Sequence, residues 1–95
     1  MDEKKETITI VRKEITCIEQ MQDNGLFSVE YEFSATTETP GSGRYCVIDF
    51  YCPNHSWIAG VSAKLGILDG NLEHKGKLNL TKNPASFRVT WLSWI

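Results

Sequence analysis

Leu26-Phe27-Ser28-Val29-Glu30-Tyr31-Glu32-Phe33-Ser34-Ala35 is the stretch on which the reading of the whole chain turns. Phe27, Val29, Tyr31, Phe33 and Ala35 fall on one side and Ser28, Glu30, Glu32 and Ser34 on the other, the two-residue period of a half-buried strand. Asp23-Asn24-Gly25, just before it, is a hairpin signal. The residues upstream must then form the partner strand, although Ile8, Val11, Ile15 and Ile18 also fit helical spacing. A three-residue turn sets Met21 opposite Phe27, Cys17 opposite Tyr31 and Ile15 opposite Phe33, with Gly25 in the left-handed position of a G1 bulge. A two-residue turn would turn every apolar side chain of one strand away from those of the other. Apolar parity changes between Ile10 and Ile15, which predicts a bulge or break near Arg12-Lys13 and a first strand in two pieces.

Downstream, Thr36 to Gly43 carries Pro40-Gly41 and no apolar anchor, so a mobile loop is expected. Arg44 to Cys52 alternates again, with Cys46, Ile48, Phe50 and Cys52 on one face and Tyr45, Val47, Asp49 and Tyr51 on the other. Trp57 to Leu68 is apolar at every odd position up to Ile67, which favours a strand; the competing helix near 56–66, capped by Ser56, would carry Gly60 and Gly66, each at a cost of about 1 kcal/mol relative to Ala. Asp69-Gly70 predicts a type I′ hairpin pairing Ile67 with Leu72, Leu65 with His74 and Val61 with Leu78. Lys82-Asn83-Pro84-Ala85 then sets Leu80 opposite Phe87 and Gly76 opposite Trp91, so Trp91 is expected buried across the glycine. The expected fold is all-β: an antiparallel meander of about six strands curled into a small barrel or a sandwich, with an α+β arrangement containing a helix near 56–66 as the alternative.

The 95 residues are 41% hydrophobic and 23% charged, enough apolar surface for one core and outside the composition of disordered chains. Residues 1–6 read as a flexible tail and 7–95 as one domain. No apolar run approaches a membrane span, and the start Met1-Asp2-Glu3-Lys4-Lys5-Glu6 lacks the pattern of a secretory leader, so a cytoplasmic protein is expected. A net charge of −2 with scattered basic residues argues against nucleic acid.

Cys17, Cys46 and Cys52 are an odd set, expected as free thiols. Cys46, Cys52 and His55 combine zinc-type ligands, but two cysteines on one strand face, about 20 Å apart at 3.3 Å per residue, cannot share an ion. Cys52 with His55, oriented by Asp49, could form a nucleophile, yet no oxyanion loop accompanies it. Glu30 and Glu32 are neighbours on a solvent-facing strand, and Gly41-Ser42-Gly43-Arg44 lacks the lysine and helix start of a phosphate loop. No catalytic residue, cofactor or metal site is therefore expected. What stands out is surplus apolar surface: Tyr45, Val47 and Tyr51 around Asp49, with Leu92 and Trp94 on the last strand, lie opposite the expected core. These residues predict contact with a protein partner or a second copy, in a small non-enzymatic module of the inhibitor, immunity or regulatory kind, with neither nucleic acid nor membrane as partner. The alternative is a barrel carrying a small ligand.

Overall fold

The computed structural model describes residues 8–38 and 42–94, without the side chains of Cys17, Ser93 and Trp94. The expected tail at residues 1–6 and the Pro40-Gly41 portion of the expected loop lie outside the described residues. Six strands follow in order: β1 (Ile8–Gln20), β2 (Phe27–Thr37), β3 (Gly43–Tyr51), β4 (Trp57–Gly66), β5 (Asn71–Leu80) and β6 (Ser86–Trp94). All pair antiparallel, and the described residues contain no helix, so the all-β expectation holds and β4 replaces the alternative helix. They form two three-stranded sheets, β1-β2-β5 and β4-β3-β6, packed as a sandwich rather than closed as a barrel.

The meander holds for β1-β2 and β3-β4 but not for β4-β5 or β5-β6. Asp69 and Gly70 do form the expected two-residue turn, with φ of 52° and 76°, and Leu68 and Asn71 exchange backbone hydrogen bonds of 3.0 and 2.9 Å. The ladder stops at that one bridge, because β4 and β5 diverge into different sheets. Charge favours this arrangement by a modest margin. Continued pairing from this turn would set Lys64 directly opposite Lys75, whereas β2 offers Glu32 opposite Lys75 and Glu30 opposite Lys77. In the β3-β6 ladder Arg88 stands opposite Asp49.

The β1-β2 hairpin keeps the expected faces but shifts register by two residues, pairing Ile15 with Tyr31 and Cys17 with Val29. Gly25 is left-handed as expected, at φ 71°, but the turn is longer: the Met21 amide donates to the Leu26 carbonyl at 2.7 Å and the Gly25 amide to the Met21 carbonyl at 2.8 Å. β1 is one strand, not two. The expected bulge falls at Val11, which has no partner between Ile10 and Arg12 and absorbs the parity change, and a second bulge leaves Ile18 without a partner between Cys17 and Glu19.

The core lies between the sheets: Val29, Tyr31, Phe33 and Ala35 from β2 meet Cys46, Ile48 and Phe50 from β3, with Leu65, Leu72, Leu80 and Phe87 completing it. Burial of each large apolar side chain contributes roughly 1.5–3 kcal/mol. Aromatic edges meet faces: Tyr31 lies 5.0 Å from Phe50 at 79°, and Phe33 lies 6.0 Å from Trp91 at 73°. The expected pairing of Gly76 with Trp91 is replaced. Gly76 stands opposite Tyr31, whose ring occupies the space a Cβ would need, and Trp91 is only half-buried opposite Cys46. Arg44, buried at the start of β3, donates from Nη2 to the Leu92 carbonyl at 2.7 Å, and desolvation lowers its pKa.

Candidate functional site

The two outer faces differ in chemistry. On β1-β2-β5, Arg12 bridges Glu14 at 2.8 Å and Glu32 at 2.7 Å, and Lys75 lies 3.5 Å from Glu30. Hydrogen bonding to Arg12 holds the exposed Glu14 carboxyl below its usual range. Ion pairs cross this face, and Val11 and Ile18 are exposed at the β1 bulges.

The outer face of β4-β3-β6 is built around the central strand. Because Cys46, Ile48 and Phe50 point into the core, Tyr45, Val47, Asp49 and Tyr51 project outward, as the alternation predicts. Tyr45 is exposed opposite Lys64, whose Nζ lies 5.9 Å from its ring centroid. Val47 lies between Ser62 and Thr90, Asp49 between Gly60 and Arg88, and Tyr51 between Trp57 and Ser86. Leu92 is 50% exposed at the irregularity in the β3-β6 ladder that Arg44 holds from beneath. Trp94 pairs with Arg44 through its backbone, and its side chain lies outside the described residues.

Trp57 joins this face against the expectation from its parity. Odd-numbered parity along β4 aims it at the core. However, Phe50 pairs with Ala59 and Tyr51 with Trp57, so Ile58 is an extra residue and the bulge turns Trp57 outward. It is 61% exposed, and its indole Nε1 donates to Asp49 Oδ1 at 2.9 Å. A Cβ on Gly60 would come within 2.7 Å of that carboxylate oxygen and 3.7 Å of the indole, so the glycine makes room for both. The available signal was Gly60 itself, since a glycine inside a strand marks a bulge or a close approach.

The groups considered for catalysis or metal binding do not converge. Cys46 is fully buried, and desolvation pushes its thiol up to about 11, which suppresses the reactive thiolate. Cys52 and His55 border the β3-β4 turn, where the Cys52 amide donates to the Ser56 carbonyl at 2.8 Å and the exposed His55 has φ 68°. Among the described residues no three His, Cys, Asp or Glu side chains cluster to hold a metal ion, and no helix is long and apolar enough to cross a membrane. His74, expected opposite Leu65 as a core or rim histidine, instead faces Phe33 from β5, and its Nε2 lies 3.0 Å from the Tyr31 hydroxyl. No protein family matches the chain, and neither a curated protein nor a solved structure does.

Proposed function

We propose that this protein is a small, non-enzymatic, protein-binding module that docks through the outer face of β4-β3-β6. The carrying observation is the difference between the two outer faces. One is laced with ion pairs, while the other leaves Tyr45 40%, Leu92 50% and Trp57 61% exposed around Val47. Exposed apolar area is disfavoured by about 25 cal/mol per Å², so large apolar side chains left exposed along one sheet face favour a covering partner. Tyr45 and Trp57 supply rigid contact area, and Asp49, fixed by the Trp57 indole, supplies orientation more than affinity. The partner is a protein or a second copy of this chain, met in the cytoplasm, where the thiols stay reduced. A carrier function has less support, because it rested on a closed barrel and the interior between the sheets is filled with side chains.

The test is the double substitution Tyr45→Ser with Leu92→Ser, both at exposed positions. Sedimentation across concentrations and capture by the immobilised protein should both weaken, with the thermal melt retained. A double variant that associates and captures as the parent does would refute the proposal.

A further inference from the structure

Where β1 passes the start of β6, an open cleft of about 500 Å³ is lined by Lys13, Tyr51, His55, Ser86, Phe87 and Arg88. We propose that this cleft binds a tetrahedral oxyanion, phosphate or the phosphoryl group of a monoester. Three separate segments bring nitrogen donors to it: Lys13 from β1, His55 from the β3-β4 turn and Arg88 from β6. Tyr51 and Ser86 add hydroxyls, and no carboxylate lines the walls. Among the described residues neither Lys13 nor Arg88 forms an ion pair, and the pairs at Arg12 and Lys75 lie on the outer face of β1-β2-β5. Asp49, the acid opposite Arg88 in the ladder, has Oδ1 engaged by the Trp57 indole.

The walls are fixed in place. Lys13 Nζ donates to the Phe87 carbonyl and lies 4.9 Å from the Phe87 ring centroid, which holds the ammonium against Phe87 and leaves its other protons for a ligand. The Ala85 amide donates to the Tyr51 carbonyl at 2.8 Å, tying the start of β6 to the end of β3. A guanidinium fork with an ammonium and hydroxyls suits a group with several acceptor oxygens better than a planar carboxylate, which has two. Tyr51 opens onto the outer sheet face, so the organic part of an ester has a ring to lie against.

The experiment is titration of the isotope-labelled protein with inorganic phosphate and, separately, with phenyl phosphate, at constant ionic strength maintained with sodium chloride. Saturable shifts of the Lys13, Tyr51, His55 and Ser86 to Arg88 amides are expected. Arg88→Gln should weaken binding about tenfold through loss of a charge-assisted contact, whereas Lys82→Gln, the same charge change at an exposed turn residue, should not. Tighter binding of phenyl phosphate identifies an ester as the ligand class, and binding of phosphate alone identifies the free ion. Shifts spread over the surface, shifts that never saturate, or equal weakening by both substitutions would overturn the proposal. Because these readouts lie in the cleft, they succeed or fail independently of docking on Tyr45 and Leu92.

Discussion

At the scale of single residues, the contact of Gly76 with Tyr31 governs one end of the core. A Cβ at Gly76 would lie 2.6 Å from the Tyr31 ring and hydroxyl, and Tyr31 is hemmed in by Phe50 and Phe87. Gly76→Ala should therefore destabilise the protein by about 1–3 kcal/mol, read as a lower denaturant midpoint. That a strand glycine accommodates an aromatic ring is legible in the sequence, but local turns point to Trp91 as that ring, because the neighbour across the ladder depends on which strands pair. Tyr31 also partners His74, and desolvation lowers the His74 pKa from its ordinary 6.5. Between the lowered value and the ordinary one, the unfolded chain binds more protons than the native protein, so stability rises with pH there. The contribution is complete above about pH 6.5 and is lost as pH falls through the native value. Arg12, Lys75, Glu32 and Glu73 border the same groove as His74 and add their own charge effects. The expected result is a melting temperature that falls on acidification from neutral pH, with a shallower fall in His74→Gln; equal slopes in the two proteins would refute it.

Strands find their partners through features that alternation alone does not reveal. Each strand was legible as a strand, and the inward and outward faces of β2 and β3 follow directly from Val29, Tyr31 and Phe33 and from Cys46, Ile48 and Phe50. Pairing was less legible, because any two alternating strands match in hydrophobicity, and a local turn such as Asp69-Gly70 speaks for only one bridge. The information lay in the outward charges, Glu30 and Glu32 against Lys75 and Lys77. Lys75→Glu should accordingly weaken the β2-β5 ladder, and Glu30→Lys added to it should restore part of the loss. The coupling expected from a double-mutant cycle in denaturant is about 0.2–1 kcal/mol, small because both side chains are exposed. The same outward neighbours explain the incomplete view of the binding face. Tyr45, Val47, Asp49 and Tyr51 follow from one strand, whereas Trp57, Lys64 and Arg88 join them only once β4 and β6 flank β3.

For the molecule as a whole, neither sheet is built from a continuous piece of chain. β2 leads into β3 across the sandwich, β4 crosses to β5, and β5 crosses back to β6, so β1-β2 waits for β5 and β3-β4 waits for β6. Removal of residues 81–95 should therefore abolish cooperative unfolding rather than shave a margin from it, since Phe87 leaves the core and β3 loses a whole flank. Calorimetry checks this, and a truncated chain that melted in a sharp transition would contradict it. Dominance of distant pairings also implies slow folding, in the millisecond-to-second range of sandwich topologies. On the ribosome, those same crossings impose an order of events. At about 5–20 residues per second, seconds separate the emergence of β3 from that of β6, and through that interval the nascent chain carries the inner faces of β2 and β3 without their full cover. Synthesis itself thus sets the period in which this protein is most exposed to misassembly, and a chaperone that holds extended apolar segments would act there.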